Sequence, residues 1–155
     1  MSEGSRNLEK ITVSFDLDGV LVKNFFIDHV FPLLLKRFRE PLRRAGIESL
    51  DDFLEAALKI HEERLEGKDP VSAFDWDAAV KDFISNGKES EKPFLDALFS
   101  ALGEASPDLY PEVLPVLEEL KKMDRLDLVV LTNGFVRYQK PILESCGLLE
   151  SFSSV

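Results

Sequence analysis

The sequence predicts an α/β fold in which a parallel sheet is interrupted by a long helical insertion. Residues 11–15, ITVSF, are rich in β-branched side chains and predict a strand that ends at Asp16. Residues 128–131, LVVL, form a continuous apolar run, which is typical of a strand buried on both faces of a parallel sheet. Between these strands the apolar residues recur with a helical period, and this order favours parallel strands joined by a helical crossover.

Helices are predicted along the whole stretch between the strands. Residues 28–45 predict one or two helices, because Pro41 lacks an amide donor and is expected to kink or restart the segment. Ser49 and Asp52 resemble a capping box that begins the next helix. The apolar residues of that helix are expected to share one face: Leu50, Leu54, Ala57, Leu58, His61 and Leu65. Further helices are predicted at 75–84 and 93–102.

The remaining elements follow the insertion. Residues 111–123 predict a helix that leads directly into the second strand. After that strand, residues 135–146 predict another helix, which Pro141 disturbs and which Gly147 ends. Residues 151–155 are compatible with the start of a third strand.

Length and composition limit the classes of function. The 155 residues are 45% hydrophobic and 31% charged, as expected of one globular domain, with or without an insertion. The net charge of −10 argues against binding to nucleic acid or to an anionic membrane. No apolar run approaches a membrane span and residues 1–10 lack a signal-peptide core, so a cytoplasmic location is expected. With a single cysteine, Cys146, and two histidines, any metal is expected to be bound by oxygen.

Two carboxylates follow the first predicted strand in the segment Asp16-Leu17-Asp18-Gly19. Ligands of open α/β sheets bind at the carboxyl ends of the strands. Two neighbouring carboxylates repel each other unless a cation or a shared proton compensates, and Mg²⁺ prefers such oxygen ligands. An ordinary turn, a helix cap or a calcium loop are alternative interpretations of the same residues.

The second predicted strand ends in Thr132-Asn133-Gly134. A threonine hydroxyl and the free amides at a helix N-terminus together form a cradle for an anion of phosphate size. The tripeptide is also common in ordinary turns. Its pairing with the acidic segment after the first strand makes the phosphate interpretation specific.

These two segments resemble motifs of the haloacid dehalogenase (HAD) superfamily. VSFDLDGVLV at 13–22 and LVVLTNG at 128–134 match the first and second motifs of the family, in that order. The resemblance implies a Rossmann-like parallel sheet, incomplete at the C-terminus, with an inserted α-helical cap. It places the core at residues 1–23 and 109–155 and the cap at residues 24–108.

The resemblance also implies roles for the site residues. Asp16 would be the nucleophile that forms an aspartyl-phosphate, and Asp18 would act as acid and base. Asp16 and Asp18 would hold Mg²⁺, through the carboxylate of the first and the main-chain carbonyl of the second. The phosphate group of a small substrate would be bound by Thr132, Asn133 and Gly134.

The implied function is magnesium-dependent hydrolysis of a small phosphate monoester. Asp18 favours phosphate over haloacid substrates, because the halide-releasing branch of the family lacks an acid at that position. A phosphosugar mutase uses the same two acids and is an alternative. A noncatalytic, truncated remnant that keeps only the phosphate cradle is another.

Two further motifs of the family, a lysine and an acidic pair, are not found after Gly134. Lys140 precedes the next expected strand, so it is expected on a helix surface. The sheet is then expected to lack the strand that pairs beside the first one, which leaves an edge of residues 11–15 open. Self-association, or a complementary chain that supplies the rest of the core, is the expected consequence.

Overall fold

The computed structural model describes residues 10–67, 70–84 and 92–155. The predicted α/β class, with a short parallel sheet and a long helical insertion, is confirmed. The strands are β1, Ile11–Phe15, and β2, Leu126–Val130. The α-helices are α1 Phe31–Arg37, α2 Arg39–Arg44, α3 Leu50–Leu65, α4 Trp76–Ile84, α5 Pro93–Glu104, α6 Val113–Lys121 and α7 Val136–Ser145.

The two strands are parallel and in register over their full length. Ile11 pairs with Leu126 and Phe15 pairs with Val130. Just beyond this last pair, the Leu131 amide donates a hydrogen bond to the Phe15 carbonyl, 2.9 Å away. The predicted burial of residues 128–131 is wrong at its end, because Leu131 already belongs to the loop and is 71% exposed. The register therefore brings the segments that follow β1 and β2 to the same edge of the sheet.

The end of the chain runs along the other edge of β2 without forming a regular strand. Ser154 forms a parallel bridge with Val129, and the Ser153 amide donates to the Leu128 carbonyl, 2.8 Å away. The expected third strand is thus represented by a single bridge. A short 3₁₀-helix, Leu149–Ser151, precedes it.

The second edge of β1 has no partner strand among the described residues. Ile11 and Phe15 use their main-chain groups for β2 and its flanking residues. In a parallel strand the main-chain groups of alternate residues point to opposite sides, so those of Thr12 and Ser14 point to the open edge. An unpaired row of this kind is a template for pairing with another strand.

We propose that this edge makes the chain self-associate. Sedimentation velocity between about 1 and 100 µM is expected to show species larger than the monomer. Thr12→Pro removes one outward amide near the start of β1 and is expected to shift the distribution toward the monomer. A monomer throughout this concentration range for the unaltered chain would contradict the proposal.

The regular elements described between Phe26 and Glu104 are all helical, and we call them the helical insert. A π-helical turn, Phe26–Val30, runs directly into α1. The break expected near Pro41 occurs at Phe38, where φ is −110° and ψ is 30°. Pro41 has no amide for the Arg37 carbonyl and its ring crowds that carbonyl, so the helix breaks before the proline, and α2 starts at Arg39 with Pro41 in its first turn.

The capping box at the start of α3 is confirmed. The Asp52 amide donates to Ser49 Oγ at 3.1 Å, and the Ser49 amide donates to Asp52 Oδ2 at 2.9 Å. The apolar residues predicted to share one face of α3 are not all buried there. Leu58 and Leu65 are 57% and 42% exposed, because the buried side of the helix is centred on Phe53 and Ala57.

The interior of the helical insert is largely aromatic. The Phe31 ring contacts those of Phe53 and Trp76, with centroids 5.1 and 5.4 Å apart. Trp76 also stacks on Phe94 at 5.7 Å.

The described residues include no helix long and apolar enough to cross a membrane. Residues 1–9 of the predicted core segment 1–23 lie outside the described residues, and the boundaries of core and cap remain predictions.

Candidate functional site

The acidic segment and the Thr132 segment lie at the same edge of the sheet. Asp16 follows β1 directly, and Thr132 follows β2 by two residues. After Asp18 the chain turns sharply, with the Gly19 amide donating to the Val22 carbonyl at 2.9 Å. Gly19 has φ of +79°, a left-handed conformation that residues with a Cβ adopt rarely. The turn therefore needs glycine next to the second acid.

Asp16 lies at the surface with one carboxylate oxygen engaged. Its Oδ1 accepts a hydrogen bond from the Leu17 amide at 2.7 Å. Such a bond orients the carboxylate at the strand end and involves only one of its two oxygens. The exposed carboxylate is accessible to a phosphate group or a cation.

The Asp18 carboxylate contacts a buried side chain from α7. Gln139 Nε2 donates to Asp18 Oδ2 at 3.1 Å, and Gln139 is only 2% exposed. Burial of the carboxyl group raises the pKa of Asp18; the Gln139 hydrogen bond opposes the rise and repulsion by Asp16 adds to it. Asp18 is exposed as a residue, so solvent screens part of these effects, but their net direction favours the protonated form.

Gly134 makes the contact between Asp18 and Gln139 possible. A Cβ added to Gly134 would lie 2.1 Å from Gln139 Nε2, which is far inside contact distance. The Gly134 amide is also turned toward Thr132 Oγ1, 3.4 Å away. Thr132 is partly buried and Asn133 is exposed. The predicted phosphate residues are thus brought to the acidic edge, and Gly134 has the additional role of admitting Gln139.

Sequence reasoning missed Gln139. The buried residues of α7 are Tyr138, Gln139, Ile142 and Leu143, so a polar amide lies on an otherwise apolar helix face. A buried polar group needs a partner, and this one finds a carboxylate 121 residues away along the chain. Its Oε1 atom is buried and has no hydrogen-bond partner among the described residues. The signal in the sequence was Gln139 itself, a polar residue within the apolar face of α7.

Lys140 lies on the exposed side of α7. Its Nζ is 3.8 Å from Glu144 Oε1, and both side chains are about half exposed. This agrees with the expected position on a helix surface.

The donor set at the acidic edge fits Mg²⁺. No group of three or more His, Cys, Asp or Glu side chains gathers into a metal cluster in the described parts of the chain. Mg²⁺ typically uses one or two carboxylates and completes its shell with water and substrate phosphate. The Asp16 carboxylate and the Asp18 main-chain carbonyl are oxygen donors of that kind.

A partly buried polar cluster connects the helical insert to α7, and we call Asp75, Asp77, Arg137 and Tyr138 the linking cluster. Tyr138 Oη is 2.8 Å from Asp75 Oδ1 and 2.9 Å from Asp77 Oδ2. Arg137 donates to Asp75 Oδ1 at 2.6 Å. Burial raises the pKa of Tyr138, so its hydroxyl keeps its proton. The cluster anchors α7 immediately before Gln139.

Comparison with known proteins identifies the family. The family model described as haloacid dehalogenase-like hydrolase matches residues 12–155. The chain therefore belongs to the haloacid dehalogenase-like hydrolases, as its two motifs predicted. No match is found among curated proteins.

Several solved structures share this fold. A HAD phosphatase from Thermococcus onnurineus has 25% sequence identity and a TM-score of 0.64, covering 94% of this chain and 60% of that one. The 2-haloacid dehalogenase from Pseudomonas syringae pv. Tomato DC3000 has 24% identity and a TM-score of 0.58, over 94% and 62%. The L-2-haloacid dehalogenase from Xanthobacter autotrophicus has 18% identity and a TM-score of 0.52, over 94% and 56%. The chain thus spans about 60% of the length of the first of these structures.

Proposed function

We propose that this HAD-family chain is a magnesium-dependent phosphoric monoester hydrolase that acts through an aspartyl-phosphate on a small phosphorylated metabolite. The observation that carries the proposal is the contrast between its two acids. Both residues are exposed, but Asp16 accepts a hydrogen bond from the adjacent Leu17 amide, whereas Asp18 accepts one from the buried Gln139 side chain and burial of its carboxyl group raises its pKa. One carboxylate suited to attack beside one suited to hold a proton is the arrangement that two-step phosphoryl transfer requires.

In the first step a carboxylate oxygen of Asp16 attacks phosphorus, and the bond between phosphorus and the alcohol oxygen breaks. The proton on Asp18 passes to the leaving oxygen, so the alcohol departs neutral. In the second step water attacks the phosphorus of the aspartyl-phosphate, and Asp18 accepts the proton of that water. Phosphate leaves and both acids return to their initial states.

The remaining groups of the site would bind the phosphoryl oxygens and offset their negative charge. Thr132 Oγ1 and the amides of Asn133 and Gly134 would hold the phosphoryl oxygens. Mg²⁺, held by the Asp16 carboxylate and the Asp18 carbonyl, would offset the negative charge that the phosphate brings to the acidic edge.

The solved structures of similar fold include both a phosphatase and dehalogenases, so the fold does not choose between these reactions. Asp18 supports the phosphatase, because a leaving alkoxide needs a proton and a leaving halide does not. The direct test is magnesium-dependent release of phosphate from p-nitrophenyl phosphate by the full chain. Absence of release would contradict the proposal and favour a noncatalytic remnant.

Gln139→Leu is expected to shift the pH dependence of this activity. The first step needs protonated Asp18, so kcat/KM should fall as the pH rises through the pKa of Asp18. The Gln139 hydrogen bond lowers that pKa, and leucine removes the bond while keeping the site apolar. The descending limb of the profile should therefore move to higher pH, while kcat falls about tenfold from the loss of one charge-assisted hydrogen bond.

The matched control is Glu144→Leu, on the exposed side of the same helix. It is expected to leave the profile unchanged. If Gln139→Leu lowered kcat/KM but left the descending limb of the pH profile at the same pH, Gln139 would not act on the protonation of Asp18.

A further inference from the structure

A cavity of about 430 Å³ extends from Asp18 into the helical insert. Asp18 and Asn24 belong to its wall on the side of the first motif, and His61 and Trp76 belong to its wall in the insert. The volume falls within the range of about 300–1,000 Å³ that is typical of small-molecule sites. The cavity therefore begins at the proposed proton donor to the leaving group and has room for an organic substituent.

The lining of this cavity is mainly apolar. Among the described residues, its polar or titratable groups belong to Asp18, Asn24 and His61, together with the indole N–H of Trp76. The Nδ1 atom of His61 already bonds to the Ala73 carbonyl oxygen, 3.0 Å away. The apolar wall is formed mainly by Phe26, Ile27, Phe31, Leu54, Leu58 and Trp76. A polyhydroxylated sugar would leave hydroxyl groups without partners against such a wall, at a cost for each buried group.

The aromatic part of the wall is held in place before a ligand arrives. Phe31 and Trp76 pack against each other with ring centroids 5.4 Å apart, and Trp76 stacks on the buried ring of Phe94. Phe26 meets the same Phe94 ring edge to face at 5.3 Å. Leu58, in contrast, is 57% exposed at the cavity. An apolar ligand would cover this leucine without rearranging the aromatic rings.

We propose that the cavity binds the apolar part of the substrate, an aryl or alkyl group esterified to phosphate. This inference rests on the proposed function. The phosphate would lie at Asp16, and the ester oxygen would lie beside Asp18. The substrate class is then an aryl or alkyl phosphate monoester, and the mutase alternative with its sugar substrate is disfavoured.

Trp76 is the only tryptophan of the chain, so its fluorescence reports occupation of the cavity without turnover. The full chain with Mg²⁺ is titrated with benzylphosphonate and with 2-hydroxyethylphosphonate, which cannot be hydrolysed. We expect a saturable change in Trp76 fluorescence with benzylphosphonate. Its affinity is expected to be about tenfold or more above that of 2-hydroxyethylphosphonate. Equal affinities, or no saturable change with benzylphosphonate, would overturn the proposal.

Two variants locate the binding. Leu58→Asp places a charge at the rim and is expected to weaken benzylphosphonate binding about tenfold or more. Leu114→Asp changes a leucine of similar exposure, 52%, on α6 and outside the cavity wall, and is expected to have no effect. A benzylphosphonate preference that survives Leu58→Asp would place the ligand elsewhere and overturn the proposal.

Phosphate release from benzyl phosphate and glycerol phosphate, measured on the same samples, separates this proposal from the proposed function. Selective binding of benzylphosphonate without release of phosphate would contradict the proposed hydrolase function and leave the apolar site standing. Release that depends on Asp16 and has equal kcat/KM for the two esters would contradict the apolar site and leave the hydrolase function standing. The expected result is a kcat/KM for benzyl phosphate about tenfold or more above that for glycerol phosphate.

Discussion

Asp16→Asn is expected to lower magnesium-dependent release of phosphate from p-nitrophenyl phosphate by about a thousandfold or more. The amide cannot form the acyl phosphate, and removal of a covalent nucleophile typically has effects of this size or larger. Asparagine keeps a carbonyl oxygen that can accept the Leu17 amide, as Asp16 Oδ1 does at 2.7 Å. The variant should therefore fold like the unaltered chain while losing its chemistry.

The matched control is Asp124→Asn, an equal change of charge at an exposed aspartate just before β2. It is expected to leave the rate within about twofold, since surface substitutions away from the site have small effects. Activity of Asp16→Asn equal to that of the unaltered chain would disprove the aspartyl-phosphate mechanism.

Asp77→Ala is expected to destabilise the chain by about 3–5 kcal/mol, because it removes a buried carboxylate that accepts several hydrogen bonds, and each buried polar group left unsatisfied costs about 1–3 kcal/mol. Asp77 is only 5% exposed. Its Oδ1 accepts from the amides of Phe94 and Leu95 at 2.8 and 3.1 Å, where α5 begins without a side-chain cap of its own. Its Oδ2 lies 2.9 Å from the Tyr138 hydroxyl. Alanine would leave the two amides without this acceptor, and Tyr138 and Arg137 would keep only Asp75 as an acidic partner.

Urea unfolding followed by circular dichroism measures this free energy, with Asp82→Ala as the control. Asp82 lies on the same helix and pairs with Arg64 at 2.6 Å, but its side chain is 55% exposed. Its loss is expected to cost less than about 1 kcal/mol, as exposed ion pairs usually do. Equal unfolding free energies for the two variants would show that the linking cluster does not hold the insert to α7.

The linking cluster is also connected to the candidate functional site. Tyr138 is anchored by Asp77, and the next residue is Gln139, which contacts Asp18. Loosening α7 would therefore also loosen the contact that holds the proposed acid. An activity loss in Asp77→Ala beyond its loss of folded protein is the expected sign of this connection.

The strands, most helices and both motifs could be predicted because their determinants are local. A β-branched run that ends in Asp16, an apolar run that ends before Thr132 and the Ser49 capping box each depend on residues close together in the chain. The order of strand, helices and strand was enough to predict a parallel sheet that brings the two motifs to one edge. The break was expected near Pro41 and lies at Phe38, within the turn of helix that a proline disturbs before it.

Tertiary structure alone decided how the acids differ and what surrounds them. Gln139 reaches Asp18 across 121 residues of chain, and Tyr138 reaches Asp77 across 61. Helical periodicity reports that a face is buried and not what it is buried against, so neither partner could be predicted. For the same reason the exposed Leu58 and the cavity beside Asp18 appeared only when the helices were packed. The sequence by itself determined the class of fold and the two motifs with their acidic residues, while packing between distant segments placed Gln139 against Asp18 and an apolar cavity beside it.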